Sequence, residues 1–243
     1  MTTQNLNKKQ TIALTNIIRW IKKQYSPIAI IASGSIIRGN PDSSSDFDMY
    51  VIIQKKTRQR VQRFSNGIPC EIFVTNKTQI REYLKSEYRE NRPITAHMIS
   101  SGIVVYEKNK TYIRTIKEAK SWLHRKPEFI KKHAIAIKHT AALDLEDAKD
   151  TIIRAPETAN LKISKAIENL IRYYFYSKRL HLPRPKDMFS ALKTRDKSLF
   201  NYASKAMLSK SIKERYKNAE RLSMRIIKTK GFFEWKSDIE KTK

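Results

Sequence analysis

Asp46 and Asp48 stand two residues apart in "SSSDFDMYVI", at the start of an apolar, strand-like run. Side chains alternate faces along a strand, so the two carboxylates share one face while Phe47 and Met49 point the other way, into a core. Carboxylates placed this way repel each other unless a cation lies between them. An all-oxygen pair selects a hard divalent ion, Mg²⁺ or Mn²⁺, and Mg²⁺ sites are usually completed by substrate phosphates. Glu71, in "IPCEIFV", is the one acid of a second strand-like run and has apolar neighbours. If that run pairs beside the first, three carboxylates from two strands share a cleft. That is the donor set used for in-line displacement at phosphorus with one or two metals.

Upstream, Gly34-Ser35 sits where the apolar run "IAIIAS" ends, with ten residues between Ser35 and Asp46. A glycine there lets backbone N–H groups approach phosphate closely, and Ser35 adds a hydroxyl. Arg38 follows one turn later and can face a triphosphate, although a surface salt bridge explains it equally well. Asp42 and Ser43 to Ser45 fit loop chemistry better than ligation. Ser45, beside the first acid, is nevertheless carried with Gly34, Ser35 and Arg38 as a phosphate-facing candidate. For Glu71 the plain alternative is an ion pair with Arg60 or Arg63. Cys70 reads as a small buried hydrophobe.

The elements that must position these residues are legible in the apolar pattern. Asn5 to Tyr25 has helical spacing and is broken at Ser26-Pro27. Strands are expected over Ile28–Ser33, Asp46–Gln54, Ile68–Val74 and Gly102–Glu107, with a short helix or turn at "GSIIRGN". Asn66-Gly67, between two strand-like runs, signals a hairpin, since both residues tolerate positive φ. "KTQIREYLKSEYRE" reads as a helix, and a shorter helix follows Arg92-Pro93. Beyond Glu107 strand signals stop. Two long helical patterns, carrying Ile130 to Ala148 and Ile163 to Tyr174, precede two more helical stretches that end near Lys230. This predicts an α+β chain: residues 1–107 as a small mixed sheet with flanking helices, residues 108–243 as an antiparallel helical bundle.

The order of strand, Gly-Ser, short helix and Asp-x-Asp at the head of a strand is specific. "SGSIIRGNPDSSSDFDMYVI" resembles the nucleotidyltransferase motif of the DNA polymerase beta superfamily. Within it, "GSIIRGNPDSSSDFD" is most similar to the small bacterial enzymes, antibiotic-modifying ones included. The resemblance spans residues 26–107. It implies a polymerase-beta-like catalytic domain followed by a helical domain that binds acceptor or nucleotide. Asp46, Asp48 and Glu71 would be the catalytic metal ligands, for Mg²⁺ or Mn²⁺. Gly34 and Ser35 would hold the phosphates of an NTP donor, ATP by expectation. Two positions depart from the pattern. The third acid is Glu71 where Asp is common, and Ser33 stands where an apolar residue is usual.

Composition bounds the partners. Lys+Arg 50 against Asp+Glu 23 gives a net charge of +27, which suits a polyanionic partner, although a generically basic surface has the same composition. Residues 1–107 carry 16 basic and 8 acidic side chains, and residues 108–243 carry 34 and 15. The basic bundle favours RNA, such as a tRNA end, or a protein as acceptor over a cationic small molecule. An aminoglycoside-type antibiotic transferase is the alternative enzyme, and a non-catalytic antitoxin or RNA-binding module the alternative of another class. Asp144 or Glu168 is a candidate general base besides Glu71. The single cysteine excludes a disulfide framework within the chain. "MTTQNLNKKQ" has no signal-like apolar core, and no run reaches the ~20 apolar residues of a membrane span, so a cytoplasmic setting is expected. The spacing Arg92 to His97 falls outside the helical half and reads as chance. "RYYFYSKR" (Arg172 to Arg179) reads as a Tyr-rich buried face more than a base-stacking platform.

Overall fold

The computed structural model of the chain describes residues 6–108, 112–237 and 239. It divides into two compact units, Met1–Lys126 and Pro127–Lys243. The first is α+β and the second is helical. The boundary therefore falls after Lys126 rather than at 107/108. The helix between those positions is responsible, because its Ala119, Ile116, Trp122 and Leu123 pack on the core of the first unit. The shift also redistributes charge. The first unit holds 23 basic and 9 acidic side chains and the second 27 and 14, so the excess is shared and does not lie mainly on the bundle.

In the first unit, α1 (Lys8–Tyr25) begins at a capping box. The Asn7 side chain accepts the Gln10 N–H at 2.9 Å while the Gln10 side chain accepts the Asn7 N–H at 3.0 Å. This cap at Asn7 is why the helix begins at Lys8, three residues after the expected start; Asn5 lies outside the described residues. β1 (Ala29–Ser33), α2 (Ser35–Arg38), β2 (Phe47–Ile52), β3 (Gln59–Ser65), β4 (Ile68–Thr75), α3 (Lys77–Arg89), α4 (Ile94–Ser101), β5 (Ile103–Glu107) and α5 (Tyr112–His124) follow. The five strands form one mixed sheet in the order β3-β4-β2-β1-β5. Asn66 and Gly67, both at positive φ, close the β3–β4 hairpin as expected.

Strand alternation sorts the core into two layers. Phe47, Met49 and Val51 of β2 and Cys70, Ile72 and Val74 of β4 face Ala13, Leu14, Ile17 and Ile21 of α1. Tyr50 and Ile52, with Phe73 against them, join Ile80, Leu84, Ala96 and Ile99 of α3 and α4 on the opposite face. Cys70 is buried among apolar neighbours, and burial pushes its thiol up to about 11.

In the second unit, α6 (Lys131–Thr151) and α7 (Pro156–Ser177) pack through Ala141, Ala142 and Ala148 and Ile163, Ala166 and Ile167. Small side chains let the two helix axes approach closely. α8 (Met188–Arg195), α9 (Lys197–Leu208) and α10 (Ile212–Ile226) complete it, three helices where two stretches were expected. Asp196, which accepts the Leu199 N–H at 2.9 Å, caps α9 and separates it from α8. The Tyr-rich run of α7 packs inward: Phe175 and Tyr176 are buried, and the Tyr176 hydroxyl accepts the Ile130 N–H at 2.9 Å. Among the described residues no helix is long and apolar enough to cross a membrane.

Glu87 ties α3 to α4. Its carboxylate accepts the Thr95 N–H and the Thr95 hydroxyl, each at 2.7 Å, satisfying a donor in the first turn of α4 that has no local side-chain cap. Burial raises the Glu87 pKa from its ordinary value, and the Thr95 bonds oppose the rise. A raised folded-state pKa gives a stability contribution that is full below the unfolded value and is lost as pH rises through the folded value. Denaturant unfolding of wild type and Glu87→Gln across about pH 3 to 8 is expected to show wild type losing ground to the variant as pH rises. A difference that stays flat over this range removes burial as the governing cause.

Candidate metal centre

β2 and β4 run parallel, and their register sets Asp48 directly opposite Glu71. Asp46 lies just before β2, on the same side as Asp48. Asp46, Asp48 and Glu71 are each half-buried, and each offers a carboxylate oxygen within 4.8 Å of the others. The three acids singled out in the sequence are thus brought together. Unit charges 4 Å apart repel by about 1 kcal/mol in water and by about 4 kcal/mol near a protein surface, so the cluster favours a cation. An all-carboxylate oxygen set fits Mg²⁺ or Mn²⁺ and suits a thiophilic ion poorly.

Part of that demand is met from within the chain. Arg60, on β3, pairs with Glu71, and Gln62, which faces Glu71 across the hairpin, donates to the same oxygen at 3.2 Å. Arg60 also lies over the Phe73 ring, while Arg63 is turned to the other face, over Trp20. The Arg60 side chain is 65% exposed. Ion pairs with arginines so exposed contribute about 0–1 kcal/mol, so little opposes its displacement by a metal.

The Gly-Ser turn is built against the carboxylates. Gly34 has φ +98 and ψ 178, a conformation essentially reserved for glycine. A Cβ at this position would lie 3.0 Å from the Asp46 carbonyl oxygen and 3.1 Å from Asp48 Oδ2. The missing side chain is what allows the turn to lie beside Asp48. Ser33, the departure noted in the motif, is buried, and its hydroxyl donates to the Asp48 carbonyl at 3.3 Å, so it joins β1 to β2 at the site.

The two serines meet each other. The Ser35 hydroxyl donates to Ser45 Oγ at 2.7 Å, Ser45 donates to Asp42 Oδ1 at 3.0 Å, and Ser45 Oγ accepts the Asp42 N–H at 2.8 Å. The Ser45 hydroxyl has one donor and two acceptor sites, and all three are used. Its role here is to pin the loop onto α2, and a phosphate contact by either hydroxyl requires this network to open. Arg38 is half-buried, and no carboxylate pairs with it among the described residues. Asp144 is unsuited to a general base: it is buried in the second unit, where Lys162 and Asn169 donate to it at 3.2 and 3.4 Å. Glu168 is exposed on α7.

No protein-family model matches the sequence, and no curated protein matches it. Among solved structures, the chain is similar to a nucleotidyltransferase-like protein from Exiguobacterium sibiricum. The two share 14% identity over 88% of this chain and 74% of that one, with a TM-score of 0.46.

Gln62 was not legible as a site residue, because its reach to Glu71 depends on hairpin register. Tyr50, Phe73 and Thr75 were in principle legible, since they follow Asp48 and Glu71 by two or four residues and so share their face. Gly34→Ala is expected to lose on the order of 1–3 kcal/mol of stability through backbone strain, and with it Mn²⁺ binding measured by electron paramagnetic resonance. Gly67 is also at positive φ, but a Cβ there would meet only the Lys9 side chain. Gly67→Ala should therefore lose stability and retain Mn²⁺. Equal loss of Mn²⁺ in both variants would show that Gly34 has no particular relation to the carboxylates.

Proposed function

We propose that the chain is a metal-dependent nucleotidyltransferase that moves a nucleoside monophosphate from an NTP to an acceptor hydroxyl and releases pyrophosphate. The observation that carries the reading is the convergence of Asp46, Asp48 and Glu71 on one sheet face, beside a glycine turn that only glycine can make there. The motif resemblance over residues 26–107 supports it. In this reading Asp46, Asp48 and Glu71 hold Mg²⁺ or Mn²⁺, which when bound neutralises the phosphates and polarises the α-phosphorus. The Gly34-Ser35 turn admits the phosphates to the edge of the sheet, and Arg38 supplies a fixed positive charge toward them. The acceptor hydroxyl gives up its proton to water as its oxygen bonds to the α-phosphorus, the bond from the α-phosphorus to the oxygen bridging to the β-phosphate breaks, and pyrophosphate leaves with the electron pair. The contribution of the chain is positioning and charge matching.

The acceptor favoured by charge is RNA. On α10 and just beyond it, Lys217, Arg221, Arg225, Lys228 and Lys230 surround a shallow depression with Glu220 as its one acid, and Arg225 lies over the Tyr202 ring. A basic strip with an aromatic beside it suits a phosphate backbone better than a cationic antibiotic. The reading of another class, a binding module without catalysis, has one observation in its favour: Glu71 is already paired with Arg60.

Incubation with labelled NTPs, Mg²⁺ and total RNA is expected to label RNA, with Asp46→Asn/Asp48→Asn reducing the label to background. Arg221→Glu/Arg225→Glu is expected to weaken RNA binding and to flatten its logarithmic salt dependence by about 1.4. Labelling of an aminoglycoside with none of RNA would establish the antibiotic alternative. Full biological activity in the double asparagine variant would establish the binding module.

A further inference from the structure

A second feature lies on the carboxylate-bearing face of the sheet, farther along the same two strands. A cavity of about 430 Å³ is lined by Tyr50 and Phe73, by Thr75, by Tyr83 and Glu87 of α3, and by Met98 of α4. This volume is within the range of small-molecule sites. Arg58 and Arg60 stand on its β3 side. The rings of Tyr50 and Phe73 lie side by side on the sheet, centroids 6.2 Å apart and 21° from parallel, and provide an aromatic floor.

Two lining residues carry buried hydroxyls that are not satisfied by good hydrogen bonds among the described residues. Tyr50 and Thr75 are each 2% exposed; among the described residues Thr75 Oγ1 has no hydrogen-bond partner, and the Tyr50 hydroxyl has none in good hydrogen-bonding geometry, Thr95 being its polar neighbour. Buried hydroxyls are normally satisfied, and leaving one unmade is unfavourable. Burial raises the Tyr50 pKa well above that of an ordinary tyrosine, so the phenol keeps its proton and remains a donor. The walls thus combine flat apolar surface, unsatisfied hydroxyls and a carboxylate, with two guanidinium groups at one side.

We propose that this cavity binds a nucleobase, with the attached ribose phosphate directed toward Arg58 and Arg60. A heteroaromatic ring stacks on the Phe73–Tyr50 floor and brings a donor–acceptor edge to the buried Thr75 and Tyr50 hydroxyls. The two arginines favour a phosphate and disfavour a cationic ligand. The position also fits. Arg60 pairs across the sheet with Phe73, and Arg58 lies one step beyond Gln59, the partner of Val74, so both arginines stand beside the aromatic floor. The proposal rests on the transferase reading for the role of the bound nucleotide, but not for its binding. The nucleotide can be free or the terminal residue of an RNA strand.

The test uses the full chain in EDTA, so that the metal centre contributes nothing, with the four nucleoside 5′-monophosphates and short oligoribonucleotides as probes in calorimetry. At least one monophosphate or oligoribonucleotide is expected to bind saturably. Phe73→Leu, which removes the ring and keeps apolar bulk, should weaken it about tenfold, the scale of one lost stack. Ile94→Trp introduces a large ring at a rim position that is 45% exposed, so it narrows the mouth without disturbing the core. It should abolish binding with melting temperature unchanged. Thr75→Val, nearly isosteric, should weaken binding without lowering stability. Asp46→Asn/Asp48→Asn should leave it intact. Competition between a monophosphate and an oligoribonucleotide assigns the cavity to the RNA end, and binding of monophosphates alone assigns it to a free nucleotide. The proposal is overturned if neither probe binds, or if binding survives Ile94→Trp and Phe73→Leu. Binding in the cavity with no nucleotidyl transfer would sink the transferase reading and leave this one standing. Transfer without cavity binding would do the reverse.

Discussion

The parallel pairing of β2 with β4 is the constraint on which the candidate site depends. Parallel neighbours cannot be joined by a tight turn. The chain leaves β2, runs up β3 on the outside of the sheet, reverses at Asn66-Gly67 and returns as β4 between the two. Only this route sets Glu71 opposite Asp48. A slip of one residue would send Glu71 to the α1 face and bring Cys70 or Ile72 to the carboxylates. The register is held by the apolar partners on that far face, where Phe47 pairs with Cys70, Met49 with Ile72 and Val51 with Val74. The carboxylates repel one another and contribute nothing to this choice. Their positions are imposed by the packing of the other face.

The same hairpin supplies the site's own cation. Arg60 is on the outer strand, so it reaches Glu71 only because β3 lies beside β4. In a chain of net charge +27 an acidic cluster draws an arginine readily. The pair is exposed on the arginine side, and the guanidinium rests on the Phe73 ring. Arg60 therefore stands at the junction of two features, the carboxylates on one side and the aromatic cavity on the other. A ligand in either place changes what Arg60 meets.

Much of this was legible in the chain. Alternation about Phe47 and Met49, the Asn-Gly turn, the break at Ser26-Pro27 and the helical spacing beyond Glu107 are local signals. They act through backbone preference and burial over a few residues, and they placed the elements to within a few positions. The helix Tyr112–His124 shows where such signals stop. Its amphipathic pattern says that one face is buried but not against what, and it packs against α3 and α4 in the core of the first unit. The Tyr-rich run of α7, read from the sequence as a buried face, does pack inward, with Phe175 in the bundle core.

The sequence by itself determined the types and spacing of the chemical groups: a glycine before a serine, two aspartates on one strand face, and a glutamate on another strand. These follow from side-chain chemistry and from the period of the strand, and neither needs a partner element. The tertiary structure alone decided that Glu71 stands opposite Asp48, that Ser45 is fully bonded between its loop and α2, and that Arg60 and Gln62 share the glutamate. It alone placed Tyr50, Phe73 and Thr75 around a cavity with α3 and α4. Each of these depends on which strands are neighbours and in what register, and that is fixed by contacts between residues far apart in the chain.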